Sequence, residues 1–99
     1  MYAALGAWSM EAGNQEEQER SLHENVIPMV KTMPGFVSGH WMSDETGSKT
    51  YTLIVFENEE AAQGFASFVL GGMRQGEQAK SGIKNESMTV LRVSAEARR

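Results

Sequence analysis

The segment TYTLIVF, Thr50 to Phe56, is apolar on both phases of a strand. Tyr51, Leu53 and Val55 point one way; Ile54 and Phe56 point the other, with Thr50 and Thr52. A strand with one wet face alternates apolar and polar residues, so this one is expected to meet water on neither side. YAALGAWSM, Tyr2 to Met10, has the same character. Tyr2, Ala4, Gly6, Trp8 and Met10 share one face; Ala3, Leu5, Ala7 and Ser9 share the other.

Between these strands the spacing becomes helical. Leu22, Val26, Met29, Val30 and Met33 form one stripe, and a helix is predicted from Asn14 to about Thr32. Asn14 suits the N-cap, with Glu17 three residues on as in a capping box. QEEQER is read as its solvated side, with acids at the positive end of the helix dipole. Pro28 removes one backbone hydrogen bond and crowds the preceding turn, so a kink is expected there. The kink either opens the helix over a cavity or lets it follow a twisted sheet.

Pro34 and Gly35 stop the helix, and Phe36 to Ser43 reads as the second strand. DETG, Asp44 to Gly47, is a hairpin loop, and Lys49 to Glu57 is the third strand. Asn58 caps a second helix with Glu59 and Glu60 in its first turn. Ala61, Phe65, Phe68 and Val69 are its apolar side, and Gly71-Gly72 its expected end. Met73 to Gly82 is polar and glycine-bearing, a loop or short lid. Asn85 to about Ala95 is the fourth strand.

The order β-α-β-β-α-β is that of a ferredoxin-like α+β domain with a four-stranded antiparallel sheet. Right-handed crossovers place both helices on one sheet face. The other face would then carry half of TYTLIVF and half of YAALGAW. At about 25 cal/mol per Å2, leaving those side chains wet forfeits many kcal/mol. The simplest cover is a second copy of the same sheet, related by a two-fold axis. A homodimer is therefore expected.

Composition narrows the classes further. Ninety-nine residues fit one domain, 1–99, and 40% hydrophobic with 22% charged residues is ordinary for a globular protein. A formal net charge of −4 gives no basic surface for nucleic acid. With no cysteine, disulfides and thiolate chemistry are excluded. The start of the chain lacks the basic and long apolar regions of a signal peptide, and no apolar run approaches the length of a membrane span. A cytoplasmic protein is the default expectation.

Three stretches carry a resemblance: the short apolar first strand, MPGFVSGHW after the first helix, and YTLIVFENEEAAQGF. Over nearly the whole chain they resemble the dimeric α+β barrel superfamily, in particular antibiotic biosynthesis monooxygenase (ABM)-like domains. The resemblance implies two sheets face to face with helices outside. It implies fold more than chemistry, because the superfamily hosts oxygenases, haem-degrading enzymes, isomerases, peroxidases and non-catalytic binders. Haem-degrading members carry an asparagine near the end of strand one, and a tryptophan and a histidine on or after the second helix. This chain has Gly6-Ala7-Trp8 at the first place and Phe65 and Gln75 at the others. No histidine occurs in its second half, so haem degradation is not expected.

In such barrels, cofactor-free oxygenation needs an apolar pocket and one or two polar groups, with the substrate supplying the electrons. His40 is the candidate base, since its ordinary pKa lies near neutrality. The hairpin register would place it opposite Tyr51 or Thr52. Trp8, Trp41 and Tyr51 could stack on an aromatic ligand and donate from their polar tips. Ordinary core or interface packing is the competing reading for each. His23 reads as a boundary residue. Two lone histidines make no metal site, and no metal or cofactor is expected. Arg74 and Lys80 could meet an anionic ligand or simply be solvated.

The resemblance implies a pocket between helices and sheet, which here would be walled by Val26, Val30, Phe65 and Val69, with Met73 to Gly82 as its lid. Catalytic candidates are thus His40, Tyr51 and Trp8. Substrate-binding candidates are Trp41, Phe65, Val26, Val30 and Arg74. The expected activity is binding of a hydrophobic aromatic molecule, with cofactor-independent monooxygenation; the alternative is a non-catalytic ligand-binding or accessory barrel.

Overall fold

The structure, a computed structural model, describes residues 1–10, 15–73 and 83–99. Four strands, β1 (Tyr2–Met10), β2 (Phe36–Ser43), β3 (Lys49–Phe56) and β4 (Ile83–Arg92), form one sheet in the order β2-β3-β1-β4. Every neighbouring pair is antiparallel. With two helices between them, this is the ferredoxin-like α+β arrangement expected from the pattern.

β4 starts and ends earlier than its own residues suggest. β1 sets its length: Tyr2 pairs with Arg92 and Met10 with Ile83, with a bulge between Ala7 and Trp8 in the register. A strand's limits are fixed by its partner, which composition does not show.

The first helix runs through Gln15–Ser21, a π-helical turn Leu22–Val26, and Ile27–Lys31. The Ile27 N–H reaches back five residues to the Leu22 carbonyl. The wide turn lies immediately before Pro28, whose ring would crowd the carbonyl four residues back in a regular α-helix. The expected irregularity at Pro28 thus takes the form of a π turn. Asn14, the expected cap, lies outside the described residues. Gln18, in the segment read as solvated, is buried.

The second helix, Glu59–Phe68, continues as a π-helical turn, Val69–Met73. It therefore runs through Gly71 and Gly72 instead of stopping there. Glycine's helix penalty of about 1 kcal/mol is a weak prior, and burial of Val69 holds this turn on the sheet. The Asn58 side chain accepts from the Ala61 N–H at 2.9 Å, as the cap requires. Ala62, Phe65, Ala66 and Val69 are its buried side, whereas Phe68 is exposed.

The core lies between this helix layer and one sheet face. Ala4, Trp8, Ile54 and Phe56 of the sheet meet Val30 of the first helix and Ala62, Phe65 and Val69 of the second. Phe56 packs on Phe65 at 5.5 Å and edge-on against Phe36 at 6.5 Å. Among the described residues nothing forms a layer over the opposite sheet face. Leu5, Met42, Tyr51 and Leu91 stand there 38–45% exposed. Among the described residues no helix is long and apolar enough to cross a membrane.

Candidate functional site

Two strands carry the same short pattern, Gly-x-Trp: Gly6-Ala7-Trp8 in β1 and Gly39-His40-Trp41 in β2. Residues two apart share a face, so each tryptophan stands beside a glycine with no side chain. The register places both pairs on the helix side, flanking β3. Gly6 pairs with Thr52 and Trp8 with Thr50, while Gly39 pairs with Ile54 and Trp41 with Thr52. The glycines are what let the indoles lie flat. A Cβ on Gly39 would come 2.9 Å from the Trp41 ring. One on Gly6 would come 2.7 Å from Thr52 Oγ1, 2.8 Å from Trp8 Nε1 and 2.9 Å from Met88 Cε.

Trp8 is buried, and its Nε1–H donates to Thr52 Oγ1 at 3.2 Å. This satisfies a donor that would be costly to leave unpaired in the core. Asn85, buried on β4 opposite Trp8, donates from its amide to the Ala7 and Ser87 carbonyls. Ser43 and Thr50 hydroxyls lie 3.4 Å apart on the same side. The helix-side surface of the sheet is therefore apolar toward Phe56 and polar but uncharged toward Trp8. It can hold a flat apolar body and offer hydrogen bonds at one end.

Of the residues singled out from sequence, Trp8, Val30 and Phe65 meet in the core cluster, with Val26 and Trp41 packed against it. Trp41 and Val26 are only half-buried and form its margin. His40 and Tyr51 are elsewhere. His40 pairs with Leu53, neither Tyr51 nor Thr52, because the hairpin closes with Ser43 opposite Thr50. Both side chains stand exposed on the bare sheet face. Within one chain they share no pocket with Trp8. Arg74, Lys80, Gln75 and residues 74–82 of the expected lid lie outside the described residues. His23 is exposed, so neither histidine of the chain faces the tryptophan cluster. Among the described residues no group of three or more acidic or histidine side chains is placed to hold a metal.

Thr52, Gly6, Met88 and Asn85 were not legible as site residues. The repeated Gly-x-Trp was the available signal for the first two. Met88 and Asn85 join only through the β1–β4 register.

On the bare face, at the same end of the sheet as Trp8, Lys49 Nζ binds Glu86 Oε1 at 2.7 Å and Ser9 Oγ at 3.1 Å. Both charged side chains are largely solvated, so the pair contributes about 0–1 kcal/mol. In the hairpin, Asp44 has its carboxyl lowered below its ordinary range. Desolvation there is the largest single effect and acts upward, but it is outweighed by the combined hydrogen bonds from Thr46 and from the Lys49, Gly47 and Ser48 backbone N–H groups, which donate to it.

Comparison with known proteins gives this geometry its relatives. The chain is similar in structure to a haem degrader, MhuD, of Mycobacterium tuberculosis, solved with two haems in its active site. The TM-score is 0.73 at 18% identity, over 98% of this chain and 99% of that one. A dimeric ferredoxin-like protein from an uncultured marine organism matches with TM-score 0.69 at 12% identity, over 99% and 98%. A Streptomyces coelicolor monooxygenase in complex with nanaomycin D matches with TM-score 0.60 at 13% identity, over 98% and 92%. At such identities these likenesses establish the fold alone. No match to the sequence was found among curated proteins. The sequence model of antibiotic biosynthesis monooxygenases matches residues 1–67, from β1 into the second helix, which takes in both Gly-x-Trp pairs. By that match the chain belongs to the antibiotic biosynthesis monooxygenase family.

Proposed function

We propose that this protein binds a flat, hydrophobic aromatic molecule at the Trp8–Trp41 end of the helix-side cluster and oxygenates it without a cofactor. The observation that carries the reading is the pair of indoles flanking Thr52, one half-buried at the margin. Such a surface stacks on an aromatic ring while Trp8 and Thr52 provide hydrogen bonds at its edge. The substrate supplies the electrons. At an activated ring methylene, loss of a proton to solvent leaves a carbanion that reacts with O2. One oxygen stays as the carbonyl, and the other departs with both methylene hydrogens as water.

The family and a neighbour described as dimeric support a homodimer, formed through the bare sheet face. The whole chain, 1–99, then forms one half of an α+β barrel, and a cytoplasmic location is part of the same reading. His40 and Tyr51 belong to that interface and not to the chemistry. A second reading, binding without turnover, is favoured by one observation: the tryptophan cluster contains uncharged polar groups, and the histidine suited to act as a base lies on the other face.

Titration with a panel of aromatic quinols and anthrones, followed by tryptophan fluorescence and oxygen uptake, tests both readings. Saturable quenching with oxygen uptake, weakened by Trp8→Phe and unchanged by His40→Ala, is the expected result. Quenching without oxygen uptake selects the binding reading. No quenching by any member overturns the site.

A further inference from the structure

A groove separate from the Trp8–Trp41 end of the molecule lies between the Met33–Gly35 turn and the outer flank of the second helix. It has a volume of about 590 Å3 and is lined by Met33, Pro34, Gly35, Glu57, Asn58, Glu60, Ala61, Gly64, Phe65 and Phe68. Its origin is readable in the helix. Ala61, Gly64, Phe65 and Phe68 follow one another at spacings of three, one and three residues, which makes a single stripe. The sheet needs only the adjoining stripe of Ala62, Phe65, Ala66 and Val69. The apolar arc of the helix is therefore wider than the core it covers. Phe68 is the surplus, 41% exposed. Gly64 leaves a notch above Phe65, with nothing within 4 Å of where its Cβ would be.

The walls are held in place before any ligand arrives. Gly35, at φ 78°, lies so close to the helix that a Cβ would meet the Ala61 Cβ at 2.9 Å. The Glu57 N–H donates to the Gly35 carbonyl at 2.8 Å, and the Phe36 N–H to the Met33 carbonyl at 3.2 Å. Asn58 caps the helix from the groove's end. A recess of this size with an apolar floor, open to solvent on one side, can seat one face of a small apolar body.

Its charge is one-sided. Glu57 and Glu60 stand at the rim, and among the described residues no lysine or arginine lines it. The helix N-terminus contributes roughly half a positive charge, which two carboxylates exceed. We propose that this groove binds a small amphipathic cation. An aryl or branched alkyl body sits over Gly64 between Phe65 and Phe68, and an ammonium group lies between Glu57 and Glu60. The groove shares Phe65 with the core cluster but lies away from Trp8 and Trp41, and the proposal does not depend on any oxygenation there.

The probe is 2-naphthylmethylamine, with neutral 2-naphthylmethanol as its isostere, titrated at low ionic strength into 15N-labelled protein. The amine is expected to bind roughly two- to fivefold more tightly than the alcohol, because Glu57 and Glu60 are exposed and a solvated ion pair contributes at most about 1 kcal/mol. Backbone signals of Ala61, Gly64 and Phe68 should move while the Trp8 and Trp41 indole signals stay. Glu57→Gln with Glu60→Gln should erase the preference without unfolding the chain. Gly64→Leu fills the notch from an exposed helix position and should weaken both compounds. Equal affinity for the two compounds in the wild-type protein, or shifts confined to the indoles, overturns the proposal. So does unchanged binding in Gly64→Leu.

Discussion

The packing over Gly6 gives the sharpest test of the tryptophan cluster. In Gly6→Ala the new methyl carbon would lie 2.7 Å from Thr52 Oγ1, 2.8 Å from Trp8 Nε1 and 2.9 Å from Met88 Cε. Met88 ends in a flexible chain and can withdraw. The other two are the partners of one 3.2 Å hydrogen bond, and both residues are buried. Neither can move without breaking that bond. Overpacking a core costs about 1–3 kcal/mol, and an indole N–H left unpaired in the interior costs about 1–3 kcal/mol more. Alanine in place of a strand glycine returns roughly 0.5–1 kcal/mol. The central expectation is a loss of about 3 kcal/mol, which lowers Tm by roughly 12–24 °C in a domain of this size. Thermal and urea unfolding, followed by tryptophan fluorescence, measure it. Thr52→Ala removes the nearest clashing atom, so Gly6→Ala should cost less in that background than alone. A Gly6→Ala protein that melts with the wild type, or a double mutant whose costs simply add, would show that Trp8 and Thr52 do not close over Gly6 as described.

Three further predictions concern other parts of the fold. Ile54 is fully buried and Leu53 only half-buried on the bare face, so Ile54→Asp should unfold the chain while Leu53→Asp should give a folded monomer. Circular dichroism and light scattering separate these, and a wild-type protein that is already monomeric at micromolar concentration refutes the dimer. Asn58→Ala removes the second helix's side-chain cap and should cost about 1 kcal/mol in urea unfolding. Asp44 titrates below its ordinary value in the folded chain, so its contribution to stability is complete above about pH 4 and is lost as pH falls through the folded value; Asp44→Asn should flatten that part of the acid limb in a series of urea midpoints, and parallel curves would contradict it.

The legibility of this sequence followed the range of the interactions involved. Asn58 as a cap and the irregularity at Pro28 depend on neighbours within one helical turn, so both were readable. The end of the second helix was not, because glycine's local preference lost to burial of Val69 against a sheet distant in sequence. Gln18 was read as solvated from the charges around it, although packing buries it. Phe68 failed in the opposite sense: an apolar residue at helical spacing need not face the core when the apolar arc is wider than the contact.

The candidate site divides along the same line. Helical period alone put Val26, Val30 and Phe65 on apolar stripes, whereas the side taken by Trp41 was open until the register was known; the structure packs these residues and Trp8 in or against one cluster. Whether His40 joins them depends on the parity of the β2–β3 register. That parity depends on where the connection between Ser43 and Lys49 allows the hairpin to close. A shift of one residue would have moved His40 to the Trp8 side and carried Trp41 off it.

By itself, then, the sequence determined the order of elements, the helix-covered sheet and the presence of a second apolar face, because periodicity and crossover handedness are properties of the chain alone. The tertiary structure decided which residues share a face across strands. It set the Trp8–Thr52 bond, brought Asn85 and Met88 to Trp8, separated His40 from them and left a groove beside Gly64. Those outcomes rest on register and on the relative placement of helix and sheet, which arise only when segments far apart in the chain meet.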